Sequence, residues 1–292
     1  MKWNIPAKTF LLGEYAAIAE GSAIILSTAP YFELSLASDE HQSGIHPDSP
    51  AGVWWQKQHS SDQGLSWHDP YNGCGGLGAS SAQFIGSYLA SCTLHNKIPD
   101  LNTMLEAYYQ SSWSGSGLRP SGYDVIAQSQ QGCVYINKKT KQIQTYNWPF
   151  EDLSLLLIHT GVKLATHHHL QAVTLPTHIN QLSAIVDETR LAFEQRNSEQ
   201  LIKNINDYHS QLANLNLVAP HSLDFINKLK TYPEVLAIKG CGAMGADILL
   251  IVTKRHHSPL LSEKLLAQNW SVLATEKNIT PINQSPLIAK DW

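Results

Sequence analysis

A glycine-rich segment at residues 73–82 has a composition that suits chemistry better than packing. Its ten residues, GCGGLGASSA, include four glycines and two serines, and an apolar segment with helical spacing follows. Glycines let successive backbone N–H groups converge, and a helix that begins there directs its first N–H groups to the same point. The segment therefore predicts a loop that binds phosphate. A flexible loop before a capped helix is the alternative.

Length and composition limit the classes of protein to which this loop can belong. The 292 residues suffice for one large or two medium domains, and 43% hydrophobic with 15% charged residues is typical of a globular protein. A net charge of −4 argues against non-specific nucleic-acid binding. The sequence has no run of about eighteen apolar residues and no signal-peptide pattern, so we expect neither a membrane span nor secretion.

The cysteines are too far apart to form a recognisable metal or disulfide framework. They lie at Cys74, Cys92, Cys133 and Cys241, without a C-x-x-C pair. Free thiols are the usual state in a reducing compartment, so the pattern predicts a cytoplasmic protein.

Apolar periodicity divides the chain into a strand-rich first half and a helix-rich second half. Strands are predicted within 8–38 and 153–159, and a hairpin around 138–141. Helices are predicted at 80–95, 102–113, 177–197 and 198–215, followed by strand, glycine loop and strand at 234–254 and a last helix near 260–269. The pattern predicts an α+β fold with domains at 1–150 and 151–292. The polar segment 39–72 is interpreted as a loop or a substrate-side insertion.

Four motifs, PAKTFLLGEY, GGLGASSA, SGYDV and GCGAMGAD, occur in this order and together span residues 6–247. They resemble those of the GHMP kinase superfamily, which includes galactokinase, homoserine kinase, mevalonate kinase and phosphomevalonate kinase. PAKTFLLGEY is similar to the N-terminal P-x-K-x-x-L-x-G-E-H/Y motif, and GGLGASSA to the phosphate loop. SGYDV resembles the S-G-x-D of mevalonate and phosphomevalonate kinases, and GCGAMGAD the C-terminal glycine loop. One such motif is weak evidence, but four in the family's order are strong evidence for the resemblance.

The resemblance implies both a fold and a cofactor. The N-terminal domain would be like domain 2 of ribosomal protein S5, with a left-handed β-α-β unit, and the C-terminal domain would be ferredoxin-like. ATP with Mg²⁺ would lie in the crevice between them. The implied phosphate-binding residues are Gly75, Gly76, Gly78, Ala79, Ser80 and Ser81, and either Ser80 or Ser81 would bind the metal.

The resemblance also implies roles for charged residues. Asp124 would face the substrate oxygen and align or deprotonate it, and Lys8 would neutralise charge beside it, held in place by Glu14. The implied substrate-side residues are Glu14, Tyr15, Lys163, Thr166, Gly242 and Ala243. Arg119 is either a substrate clamp or a surface residue. The three consecutive histidines at 167–169 point in different directions on a helix, which argues against a shared metal ion.

Departures from the family pattern bear on the substrate. Ala79 replaces a serine, Met244 stands where glycine is common, and no acid lies closer upstream of Asp124 than Glu106. The missing acid favours phosphomevalonate slightly over mevalonate as the acceptor.

A diphosphomevalonate decarboxylase-like lyase and a non-catalytic homologue are the alternative functions. The motifs around Lys8 and Asp124 argue against both. We expect small-molecule partners, no nucleic acid, and a monomer or homodimer.

Overall fold

Two antiparallel sheets form the framework of the protein. The computed structural model describes residues 1–37, 43–58, 63–162, 179–282, 285–290 and 292. The first sheet has the order β1-β2-β4-β5, with β3 also paired to β2, and the second has the order β7-β8-β6-β9. The strands are β1 (Lys2–Leu12), β2 (Ala23–Leu36), β3 (Leu65–His68), β4 (Cys133–Asn137), β5 (Gln142–Tyr146), β6 (Leu153–His159), β7 (Ala237–Cys241), β8 (Ile248–Lys254) and β9 (Val272–Thr275). The division into domains at residue 150 stays a prediction.

Helices cover the sheets and connect them. They are α1 (Pro50–Gln58), α2 (Ala79–Leu94), α3 (Leu101–Ser112), α4 (Tyr123–Ser129), α5 (Asn180–Gln195), α6 (Ser198–Asn214), α7 (Pro220–Leu229) and α8 (Ser258–Leu266). Helices α2 and α4 contact β1 and β2, whereas α6 contacts β1 of the first sheet and β7 of the second. The ends of β1 and β7 are therefore brought together, and the sequence motifs at these ends meet.

The continuous apolar run of β6 reflects burial of both faces of the second sheet. Leu155 and Leu157 join a core that extends into the first sheet, while Leu156 and Ile158 pack in a second cluster that includes residues of α7 and α8. Because alternate residues of a strand point to opposite faces, each face needs its own apolar set. The α+β class predicted from the sequence is confirmed.

The segment at 39–72 differs from its interpretation as a loop. Its described part contains α1 and β3, and β3 pairs with β2. The indole of Trp55 is buried in the core, and the Trp67 ring stacks on Phe32 with centroids 5.2 Å apart. These tryptophans supply the apolar contacts that the polar composition of the segment obscures.

Candidate active site

The glycine segment leads directly into α2 and is anchored to β1. The carbonyl of Leu77, a buried residue in this loop, accepts a hydrogen bond of 3.0 Å from the backbone N–H of Lys8. Gly76 and Gly78 have φ values of 82° and 81°, in the left-handed region that favours glycine. The first and second sequence motifs therefore meet at the N-terminus of α2.

Gly78 is required for space as well as for conformation. A Cβ at this position would lie 2.7 Å from Lys8 Cγ and 3.0 Å from Gln128 Nε2. Real side chains do not pack at the shorter of these distances, so the lysine would have to move. The glycine thus lets the Lys8 side chain pass directly across the start of α2.

Lys8 and Asp124 come from separate motifs and form an ion pair. Lys8 Nζ lies 3.0 Å from Asp124 Oδ1, and the side chains are 8% and 34% exposed, respectively. Asp124 is in the first turn of α4, which begins after Gly122 with a φ of 76°. A Cβ on Gly122 would lie 2.6 Å from Tyr109 Oη, so this glycine allows α3 to approach. The pair presents a partly exposed carboxylate in front of a buried cation, which suits alignment or deprotonation of an attacking group.

Gln128 joins three of the motifs and was missed by the sequence analysis. Its Nε2 donates to the carbonyls of Pro6 at 2.8 Å and Gly78 at 3.1 Å, and its Oε1 accepts from Ser81 Oγ at 2.5 Å. Ser81 is buried, whereas Ser80 is exposed. The sequence carried one signal for Gln128: it follows Asp124 by four residues, which places both on one face of a helix.

The predicted helix start also differs in detail from the structure. The pair Ser80–Ser81 was expected to mark the N-terminus, but α2 begins at Ala79 after Gly78, and no side chain caps it. The Ser81 hydroxyl is used by Gln128 instead. Of the two candidate metal ligands, only Ser80 has its side chain on the exposed surface of the loop.

Gly75 lies where the glycine segment 73–82 packs against the GCGAMGAD segment. A Cβ there would lie 3.1 Å from Asp247 Cγ and 3.2 Å from its Oδ2. On Gly76 it would lie 2.7 Å from Ile248 Cγ1. Asp247 is 6% exposed. The glycine segment 73–82 therefore rests on the end of the GCGAMGAD segment, so the second and fourth motifs are in contact.

The partner of Glu14 corrects the prediction made for it. We expected its carboxylate to hold Lys8, but Glu14 Oε1 lies 2.5 Å from Lys239 Nζ. Both side chains are buried, at 4% and 0% exposure. Burial raises the pKa of the Glu14 carboxyl, while the Lys239 ammonium and the Gly242 backbone oppose that rise. Glu14 therefore connects the end of β1 to β7, and its role is to hold these two strands in position.

Tyr15 likewise links two motifs. Its hydroxyl accepts a hydrogen bond of 3.0 Å from the backbone N–H of Met244, and the residue is 4% exposed. Burial raises the pKa of Tyr15 to about 12, so the phenol stays protonated at neutral pH. This burial argues against the direct substrate contact predicted for Glu14 and Tyr15. Gly242 borders open space, since a Cβ there would have no neighbour within 4 Å among the described residues.

Several predicted residues fall outside this cluster. Lys163, Thr166 and the histidines at 167–169 lie outside the described residues. Glu106 is exposed on α3. Among the residues that the structure describes, no group of three or more His, Cys, Asp and Glu side chains is arranged to hold a metal ion. Mg²⁺ that arrives with a nucleotide needs only one or two protein ligands, and the exposed Ser80 hydroxyl fits such a role.

Within the described ranges, no helix is both long and apolar enough to cross a membrane. The four cysteines are free thiols, with Cys92, Cys133 and Cys241 buried.

Comparison with known proteins identifies similar structures. No family model and no curated protein matches the chain. Mevalonate kinase from Methanococcus jannaschii is 15% identical, with a TM-score of 0.71 over 96% of this chain and 98% of that chain. Phosphomevalonate kinase from Streptococcus pneumoniae, in complex with phosphomevalonate and AMPPNP, is 15% identical, with a TM-score of 0.74 over 94% and 99%. Lactococcus lactis galactokinase complexed with galactose is 10% identical, with a TM-score of 0.71 over 97% and 93%. The chain therefore has the fold of the GHMP kinases.

Proposed function

We propose that the protein is an ATP-dependent kinase that phosphorylates a small acid of the mevalonate pathway, with phosphomevalonate favoured over mevalonate. The observation that carries this proposal is the Lys8–Asp124 ion pair of 3.0 Å beside the N-terminus of α2. Solved structures of the same fold include a mevalonate kinase and a phosphomevalonate kinase, which supports either compound as the acceptor. The SGYDV motif, with no acidic residue in 107–123, supports the preference.

In the proposed reaction, positioning and charge neutralisation carry most of the catalysis. The ATP phosphates lie over residues 75–81, where the N–H groups of the loop and of the first turn of α2 face them. Asp124 aligns the attacking acceptor oxygen and accepts its proton where that oxygen is a hydroxyl. Lys8 stabilises the negative charge on that oxygen. The bond from the acceptor oxygen to the γ-phosphorus forms as the bond to the ADP oxygen breaks.

Mg²⁺, when bound with ATP, supplies further neutralisation of the phosphate charge. We propose Ser80 as its protein ligand in this loop, because the Ser81 hydroxyl already donates to Gln128. On the acceptor side, Lys163 and Thr166 remain our proposed contacts, together with the backbone of Gly242 and Ala243. Glu14 and Tyr15 position the loops that carry these contacts.

The test is an ADP-release assay with mevalonate, phosphomevalonate, homoserine and galactose, each with ATP and Mg²⁺. We expect turnover with phosphomevalonate or mevalonate, and a phosphorylated product by ³¹P NMR. Asp124→Asn protein is the control for contaminating kinases. Release of CO₂ from diphosphomevalonate would instead identify a lyase. ATP binding without turnover of any acceptor would identify a non-catalytic homologue and contradict the proposal.

A further inference from the structure

A recess of about 330 Å³ lies beside the residues that lead into α4. Arg119, Ser121 and Lys138 line it, together with Glu20. Ser121 immediately precedes Gly122, after which α4 begins with Asp124 in its first turn. The recess is therefore connected by a few residues of backbone to the catalytic carboxylate.

The recess carries an excess of positive charge. Arg119 Nη2 and Lys138 Nζ each lie 3.1 Å from the same oxygen, Glu20 Oε1. The hydrogen bond from Lys138 lowers the pKa of the Glu20 carboxyl, with further lowering by Arg119, so this group is ionised at neutral pH. Two cations then share one anion, which leaves a net charge of +1 by the formal charges of these groups.

Lys138 has no donor left for a ligand. Besides Glu20, its ammonium donates to Tyr109 Oη at 2.9 Å and to the Ser121 carbonyl at 3.2 Å. An ammonium has three N–H donors, and these three contacts use them. Lys138 is 10% exposed, and its role is to fix Glu20 and the backbone before α4.

Arg119 is different, because most of its donors remain unused. Among the described residues, its one hydrogen bond goes from Nη2 to Glu20, whereas a guanidinium has five N–H donors. The guanidinium carbon lies 4.5 Å from the centre of the Tyr109 ring, and the side chain is 45% exposed. Stacking on the ring and pairing with Glu20 orient the planar group in advance, as bidentate binding of a carboxylate or phosphate requires.

Two neighbouring tyrosines, Tyr109 and Tyr108, lie between Arg119 and the reacting centre in the contacts that they make. Tyr109 stacks under Arg119 and donates to the Ser121 carbonyl at 3.0 Å. Burial raises the pKa of the neighbouring Tyr108, and the charge of Asp124 raises it further. Asp124 lies five positions after Arg119, which limits their Cα atoms to roughly 17 Å apart even for an extended chain. The long arginine side chain and a small acceptor, with an anionic group at one end and its reacting oxygen at the other, can together bridge a separation below this limit.

We propose that Arg119 binds an anionic group of the acceptor, a carboxylate or phosphate remote from the oxygen that is phosphorylated. This inference rests on the proposed kinase function and adds a specificity residue to it. Glu20, Tyr109 and Lys138 are positioning residues that hold the guanidinium in the orientation described above. An anionic acceptor is thereby favoured over a neutral one such as a sugar.

The test compares Arg119→Gln and Arg119→Lys with a matched control, Lys141→Gln, which removes an exposed cation from the neighbouring hairpin turn. We expect Arg119→Gln to raise the KM for the acceptor about 10- to 100-fold, the loss typical of a charged hydrogen bond. The kcat and the KM for ATP should stay within about twofold of wild type. Arg119→Lys should restore part of the affinity, and Lys141→Gln should have no effect.

A neutral acceptor separates recognition of charge from a structural role. The amide of mevalonate keeps the hydroxyl and lacks the carboxylate charge, so its KM should be the same for wild type and Arg119→Gln. Dependence on Arg119 with both mevalonate and phosphomevalonate indicates the carboxylate that they share, and dependence with phosphomevalonate alone indicates its phosphate. An unchanged acceptor KM in Arg119→Gln, or an equal loss with the amide, overturns the inference.

Calorimetry distinguishes this inference from the function on which it rests. Mevalonate and phosphomevalonate are titrated separately into wild-type and Arg119→Gln protein that contain AMPPNP. Binding that depends on Arg119 without turnover would reject the kinase function and support the anion subsite. Turnover without dependence on Arg119 would reject the subsite alone. If the wild type binds neither compound, both proposals are wrong.

Discussion

Lys239 Nζ lies 2.5 Å from Glu14 Oε1, although the two residues are 225 positions apart in the sequence. The pair joins the end of β1 to β7, and Lys239 also contacts Cys241 Sγ at 3.5 Å. Both side chains are almost without solvent contact. The position of the fourth motif relative to the first therefore depends on a buried pair of charges.

Loss of one partner of this pair should destabilise the whole protein. We expect Lys239→Met to lower the free energy of unfolding by about 3–5 kcal/mol, because Glu14 would lose its partner in the core and would have to be buried either unpaired or protonated. The double variant with Glu14→Gln should recover part of that loss. Urea unfolding measures both. The control is Lys203→Met, which breaks an exposed i,i+4 pair with Asp207 and should change stability little. Equal losses in Lys239→Met and Lys203→Met would contradict this account.

Asp124 should affect turnover far more than nucleotide binding. Asp124→Asn keeps the size of the side chain and removes its charge, so we expect kcat to fall about 100- to 10,000-fold. The dissociation constant of ATP should change little. If Lys8 and Asp124 act as one unit, adding Lys8→Met to Asp124→Asn should cost little more than the worse single variant. Near-normal kcat in Asp124→Asn would remove this carboxylate from the chemistry.

Gly78 and Gly73 form a matched pair for testing the proposed phosphate loop. Their φ values are +81° and +82°, but a Cβ at Gly73 meets nothing within 4 Å, whereas one at Gly78 meets Lys8 and Gln128. Alanine at either position should cost about 1–2 kcal/mol of stability through backbone strain. Only Gly78→Ala should also displace Lys8 and reduce kcat/KM and nucleotide affinity. Equal kinetics in the two variants would exclude the contact with Lys8 as the cause.

The two serines of the loop should have separable roles. Ser81→Ala leaves the buried Oε1 of Gln128 without its donor and should cost about 1–3 kcal/mol in thermal or urea unfolding. Ser80→Ala should leave stability unchanged and raise the Mg²⁺ concentration that gives half-maximal activity. The reverse pattern would assign the metal to Ser81.

His209 should make the protein less stable in mild acid. Burial lowers its pKa from 6.5 to about 4, assisted by Lys230 and Lys239. Between these two pH values the unfolded chain binds a proton that the folded chain does not, so stability falls as the pH falls. The wild type should lose about 2 kcal/mol more than His209→Gln between pH 7 and pH 5. Parallel pH profiles of unfolding free energy for the two proteins would disprove the assignment.

Local sequence signals were sufficient to predict much of the fold and the central ion pair. The hairpin around residues 138–141 and the helices α2 and α3 follow from periodicity over a few turns, and Lys8 and Asp124 lie in motifs with fixed spacing. Lys239 was not identified, because a lysine within an apolar strand gives no local indication of its partner. Glu14 was assigned to Lys8 for the same reason: the choice between two cations is decided by how the two sheets pack.

Some site residues were missed because their environment is not local. Gln128 lies on α4, a helix of seven residues that is too short for a clear periodic signal. Its three hydrogen-bonding partners come from β1 and from the loop before α2 and the first turn of that helix. The same applies to α1 and β3, where Trp54 contacts Phe84 of α2 and Trp67 contacts Phe32 of β2.

The helices α2 and α4 begin at left-handed glycines without a side-chain cap, whereas Asp100 caps α3 and Asn197 caps α6. Protein engineers commonly stabilise enzymes by placing serine or aspartate at such uncapped helix starts. At Gly78 and Gly122 that strategy would add a side chain where Lys8 and Tyr109 already lie. Thermal robustness of this protein therefore has to be improved at other helix ends, and directed evolution for stability should leave both glycines unchanged.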